Sequence, residues 1–262
     1  MSSIDPAAAA TQGGAALRHI ADAARSAGAD FDFLVRTAAR ESNFDADAKA
    51  RTSSAAGLFQ FIEQTWLAMM KRHGADHGFA SEAAQISQRP DGRFEVADPA
   101  ARAAILDLRF DPAAASKMAA ELAGENAGVL REALGREPTS GELYAAHFLG
   151  ARSAAELIET AKTNPRARAD ALFPAAAAAN RAIFYDGAHA RNASQVLSVL
   201  SASHDGQQPA APTPMDAGRS RAVAAASAVG APRADAPGLI LSPALVEILA
   251  SLDAPAPARK RG

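Results

Sequence analysis

Arg40-Glu41-Ser42-Asn43-Phe44, a polar loop, and then Ala56-Gly57-Leu58-Phe59-Gln60-Phe61-Ile62-Glu63-Gln64 form the stretch on which the reading of this chain turns. Phe31, Leu34 and Ala38 precede Glu41 at helical spacing, so Glu41 continues an apolar stripe near the end of a predicted helix. A carboxylate on such a face is desolvated, and desolvation favours its protonated form. That is the state a general acid needs. The competing reading turns Glu41 to solvent at the helix end, because glutamate is rarely buried unless paired. The Gly-Leu-Phe-Gln turn starts sixteen residues after Glu41. Gly57 permits a positive φ or a close backbone approach.

The rest of the chain supplies a helical frame. Of 262 residues 48% are apolar, enough for a core, and much of that share is alanine, which favours helix. Asp98-Pro99 and Asp111-Pro112 each put a capping Asp before a Pro suited to a first helical turn. Thr139-Ser140-Gly141-Glu142 and Ser153-Ala154-Ala155-Glu156 have the capping-box pattern. Asn164-Pro165 and Phe173-Pro174 read as helix stops. No alternating β-branched run predicts an extended sheet. The fold class expected is all-α.

Residues 1–13 read as a disordered leader and residues 14–203 as one helical domain. From about Ala202 the composition shifts. The last 61 residues hold 8 of the 15 prolines and no aromatic residue, so 204–262 read as a flexible Pro/Ala-rich tail that cannot fold alone. Within it, Leu245, Ile248, Leu249 and Leu252 share one face of a short amphipathic segment at about 243–252. That face is expected either to dock on a partner or to fold back on its own domain.

Composition narrows the function classes. A net charge of −2 gives no global basic field, so nucleic acid is not an expected partner. Absence of cysteine excludes disulfides, thiolate metal sites and a thiol nucleophile. No run of about 18 apolar residues predicts a membrane span. The N-terminus lacks a basic n-region and has Asp5 and Pro6 where an apolar h-region would sit, so it does not read as a signal peptide.

Other residues join the candidate site. Ser42 adjoins Glu41, and its hydroxyl is expected to bond the carboxyl or a ligand. Gln60 offers a donor and an acceptor, and Phe59 and Phe61 offer apolar faces. Ile62, Trp66, Met69 and His73 continue one stripe and read as core. In Glu142-Leu143-Tyr144-Ala145-Ala146-His147-Phe148-Leu149-Gly150, Tyr144 and His147 share a helix face. Tyr185 is a further candidate, with a buried, bonded ring as the alternative.

Glu-Ser followed at this distance by Gly-Leu-Phe-Gln-Phe resembles the opening signature of the soluble lytic transglycosylase, or goose-type lysozyme-like, family. The resemblance spans roughly residues 28–200 and implies a lysozyme-like helical domain. Ala146-His147-Phe148-Leu149-Gly150 falls where the commonest members carry Ala-Tyr-Asn-Ala-Gly, so His147 and Phe148 replace the Tyr and Asn. Tyr144 is the candidate to supply the phenol. This variant is similar to a subgroup that includes giant-phage endolysins and flagellum-associated transglycosylases.

The resemblance implies cleavage of the MurNAc–GlcNAc bond of peptidoglycan with formation of 1,6-anhydroMurNAc. Glu41 would act as the single acid and base. Ser42, Phe59, Gln60, Tyr144 and His147 would contact the glycan, and no cofactor or metal is called for. A hydrolytic lysozyme is the near alternative; inversion would need a second carboxylate roughly 6.5–9.5 Å away, for which Asp45 and Asp47 are candidates. A scaffold that keeps the fold without catalysis is another. His73 and His77, four apart, suggest a zinc helix only weakly, and a solvated helix end is expected there. With no signal peptide visible, the expected location is the periplasm or cell envelope by a non-Sec route, with a cytoplasmic pool before export. The partner expected besides the glycan is an envelope-spanning flagellar or secretion machine, reached through the tail.

Overall fold

Two aspartates fix where two of the helices begin. Asp98 Oδ1 accepts the Ala100 N–H at 2.9 Å and Asp111 Oδ1 accepts the Ala114 N–H at 2.8 Å, each just before a proline that starts the helix. A computed structural model describes residues 6–50 and 53–204. In chain order it contains α1 (Pro6–Ala27), α2 (Phe31–Ser42), α3 (Glu63–His73), a 3-10 turn (Gly74–His77), α4 (Ala80–Gln85), β1 (Ile86–Gln88) and β2 (Phe94–Val96). Then come α5 (Pro99–Asp107), α6 (Pro112–Leu134), α7 (Ser140–Leu149), α8 (Ala151–Thr163), α9 (Ala169–Leu172), α10 (Pro174–Ala179) and α11 (Arg181–Phe184). The described chain closes with β3 (Tyr185–Asp186), β4 (His189–Ala190) and α12 (Ala193–His204).

The structure is mostly helical. Two short antiparallel hairpins accompany the helices: β1 pairs with β2 and β3 with β4. Strands of two or three residues are too short to show an alternating pattern. Helix α1 starts at Pro6, within the stretch read as a leader. Ala7–Ala10 is a run of the strongest helix former. The tail and its segment at 243–252 lie outside the described residues.

Helix α6 is the spine. Its 23 residues span about 35 Å, and it packs against α1, α3, α7 and α8. Its buried face is dominated by Ala114, Ala115, Ala119, Ala120 and Ala123, which let neighbouring helices come close. Helix α1 meets it with Ala16, Ile20, Ala23 and Ala24. Helix α7 is buried nearly all round: between Gly141 and Leu149 only His147 is half-buried. A helix of that kind belongs in the middle of a core. Its start is held by a complete capping box, with Thr139 Oγ1 accepting the Glu142 N–H and Glu142 Oε2 accepting the Thr139 N–H.

The second expected capping box is not one. Helix α8 already begins at Ala151, which leaves Ser153 inside it. Gly150 divides α7 from α8 at φ 78°, ψ 148°, a backbone conformation nearly confined to glycine. The stops at Asn164 and Phe173 fall where expected, as the C-caps of α8 and α9. Among the described residues no helix is long and apolar enough to cross a membrane.

Candidate active site

Asp30 starts α2, its side chain accepting the Phe33 N–H at 2.9 Å. The buried face of this helix is Phe33, Leu34, Thr37 and Ala38. Phe31, expected on the stripe, is instead 41% exposed, while Phe33 in the same turn is buried. Leu34 and Ala38 do lead to Glu41 one turn on. Asn43 ends the helix in the left-handed conformation, φ 52°. The Glu41 side chain is 12% exposed, so it is covered and does not turn to solvent.

Its cover comes from α7. His147 Nε2 lies 3.4 Å from Glu41 Oε1. Tyr144, one turn earlier, is fully buried and stacks on the His147 ring with centroids 5.8 Å apart. The Arg40 guanidinium lies 4.9 Å from the Tyr144 ring centroid and hydrogen-bonds its hydroxyl. Burial pushes the Tyr144 phenol above its ordinary value, and the nearby Glu41 carboxylate adds to that shift. The phenol therefore stays neutral. Glu41, His147, Tyr144 and Arg40 form one cluster, in which an acidic and a basic side chain of α2 meet two rings of α7.

Ser42 explains why Glu-Ser and the Gly-Leu-Phe-Gln turn go together. Its hydroxyl donates to Leu58 O at 2.8 Å, tying the last turn of α2 to that turn. The proton expected for a carboxyl or a ligand is committed to this tie. Gly57 has φ +77°, and a Cβ there would lie 1.8 Å from Arg109 O. Both expected reasons for glycine hold, and the close neighbour is the Arg109 backbone. The Arg109 side chain is also buried here: Nη1 donates to Ser54 O at 2.6 Å and to Phe61 O at 3.2 Å, and Nε donates to Leu106 O at 2.8 Å.

Gln60 is turned inward, with φ 49°. Its Nε2 donates to Gly57 O at 2.9 Å and to Ala48 O at 3.1 Å, while Oε1 is buried without a partner. It stabilises the turn from inside, so its donor is not offered outward as expected. Phe59 and Phe61 are 3% and 5% exposed. Packing into the core leaves neither a free face for stacking. Both line a narrow pocket together with Leu34, Thr37, Leu122, Asn126 and His147.

The remaining candidates lie elsewhere. Tyr185 is half-buried on β3, with its hydroxyl 3.1 Å from Asp170 Oδ2 and Arg181 over its ring. Asp45 and Asp47 are exposed, and Asp45 Oδ1 accepts the Asp47 N–H at 2.9 Å. Ile62, Trp66 and Met69 are core, with the Trp66 indole donating to Ile105 O at 2.7 Å. His73 and His77 are not at a solvated end. His73 Nε2 lies 2.7 Å from Glu125 Oε1, and His77 Nε2 lies 2.7 Å from Glu121 Oε1. These contacts fasten α3 and the 3-10 turn to α6. Among the described residues no group of three or more His, Asp or Glu has an arrangement that could hold a metal ion.

Sequence reasoning missed Arg40, Arg109 and Asn126. An isolated arginine carries no motif. Asn126 does leave a trace, as a polar residue in the stripe Ala119, Ala123, Leu130 of α6. No protein-family model matches the chain.

Proposed function

We propose that the protein is a lytic transglycosylase that cleaves the MurNAc–GlcNAc bond of peptidoglycan, with Glu41 as its acid and base. The observation that carries this reading is the placement of Glu41. It is a covered carboxylate at a helix end, beside an imidazole and a neutral phenol, next to a rigid turn. Protonated Glu41 gives its proton to the glycosidic oxygen as the bond breaks. The resulting carboxylate then takes the proton of the MurNAc C6 hydroxyl. That oxygen attacks C1 and closes the 1,6-anhydro ring, so no water is consumed. His147 bears on Glu41 directly, and Tyr144 holds the His147 ring by stacking. Fixed dipoles at such a site stabilise the charge that develops at the anomeric carbon. One carboxylate suffices for this route, whereas ordinary glycosidases use two.

Mass spectrometry of purified sacculi digested by the recombinant protein tests the reading. Anhydro-muropeptides are the expected products. Muropeptides with reducing ends would mean a hydrolytic lysozyme.

A further inference from the structure

Where α1 gives way to α2, the chain leaves a second concavity. Ala21, Ala24, Arg25, Ala29 and Phe31 line an open groove of about 340 Å³. Its one polar side chain, Arg25, is already paired with Asp22 at 3.0 Å. A small ligand would find no set of polar groups there to fix its orientation. What the groove offers is apolar surface. Phe31 is 41% exposed, and Leu17, one turn before Ala21 on the same face of α1, is 37% exposed. They are two of the three large apolar side chains exposed among the described residues. Scattered single exposures are ordinary, whereas two along one groove mark a contact surface.

The sequence beyond His204 supplies an occupant. It lies outside the described residues, but every Leu and Ile in it falls between Leu239 and Leu252. As a helix, residues 243–252 would put Leu245, Ile248, Leu249 and Leu252 on one face, with Asp253 at its flank and Glu247 opposite. Leu245–Leu252 and Leu17–Ala24 have the same length, a helical rise of about 10 Å. Asp253 at the flank of one face suits Arg25 at the wall of the other. Residues 205–242 give the segment its reach. A relaxed coil of that length spans about 35 Å, close to the width of a domain of this size, about 40 Å. The described chain also ends on the right neighbour, since α12 packs against α2.

We infer that residues 243–252 dock as a helix in the α1–α2 groove of their own chain, with the Leu and Ile face against Leu17 and Phe31. The tether makes the contact intramolecular, so the segment meets the groove at a local concentration that a free partner in dilute solution does not reach. Docking covers the exposed apolar side chains on both sides at once. Phe31 and Glu41 stand about 15 Å apart along α2. The docked segment therefore braces the start of α2 and leaves the acid at its other end untouched. The inference does not depend on what Glu41 does.

The chain has no cysteine, so Ser251→Cys gives the full-length protein a single thiol for a nitroxide label. In NMR spectra of the isotope-labelled protein, the amides of Ala21, Arg25 and Phe31 should lose most of their intensity while the label is paramagnetic. They should regain it when the label is reduced. Dilution should leave the loss unchanged, because the contact is within one chain. Adding Leu245→Asp and Leu249→Asp to the labelled protein should abolish it. No loss at these amides, a loss spread evenly over the domain, or a loss that survives both substitutions overturns the inference. A mixed sample separates the remaining occupant. There the nitroxide sits on chains without the isotope, and the isotope on chains without the nitroxide. Loss at the groove in that mixture would make a second copy the occupant and also overturns the inference; full intensity there is the expected result.

Discussion

At Gly57 a methyl group has nowhere to go: a Cβ would meet Arg109 O at 1.8 Å, and φ is +77°. The strain of a positive φ alone costs about 1–3 kcal/mol, before the clash is counted. Gly57→Ala should therefore lower the unfolding free energy by at least about 2 kcal/mol, measured by urea denaturation; an unchanged midpoint would mean that the turn can move. Tyr144 is a different kind of residue, since its ring packs while its hydroxyl meets Arg40. Tyr144→Phe keeps the stacking on His147 and removes only the hydroxyl. It should lower the rate of sacculus cleavage severalfold, with an unchanged circular dichroism spectrum and a stability loss of about 1–3 kcal/mol for the hydrogen bond to Arg40. Equal rates would assign Tyr144 to packing alone.

At the scale of the element, α7 carries two rings of the site on a helix whose start is fixed by charge. Arg136 Nη1 and Nη2 donate to the two Glu142 carboxylate oxygens at 2.8 and 2.6 Å. These bonds, and after them the Thr139 N–H, hold the Glu142 carboxyl below its ordinary value despite burial. In acid the unfolded chain therefore takes up this proton before the folded one does. The stability that Glu142 contributes is complete above the ordinary carboxylate range and is lost as pH falls through the depressed value. Between about pH 7 and about pH 3, the fall in the urea midpoint should be smaller in Glu142→Gln than in the wild type. Equal falls would show that this cap does not couple to protons.

The same elements show what could be read from residue order. Local chemistry was legible: the Asp-Pro starts of α5 and α6, the Thr139–Glu142 box, and the stops at Asn164 and Phe173 each depend on a few adjacent residues. The second box at Ser153 was misread because Gly150, three residues earlier, opens α8 sooner. Glu41 could be placed on the stripe of Leu34 and Ala38, but its partner His147 is more than a hundred residues away and depends on how α7 crosses α2. Ser42 and Gln60 were recognised as important from their motifs. That their hydrogen bonds go to Leu58, Ala48 and Gly57 follows only from the folded turn. Arg109, whose guanidinium reaches Ser54 and Phe61, gave no sequence signal.

Seen as a whole, the molecule is an alanine-lined helical frame around α6 and α7 that brings one covered carboxylate to a rigid turn. The Ser42–Leu58 bond and the Arg109 clamp hold the turn, and the His73–Glu125 and His77–Glu121 contacts hold α3 to the spine. None of these requires the Glu41 proton, so the frame should survive its removal. Muropeptide release from sacculi by wild type and Glu41→Gln, compared at equal concentration and with matching circular dichroism, is the direct test. The account predicts anhydro-muropeptides from the wild type and none above background from the variant. Release at a comparable rate by Glu41→Gln would contradict it.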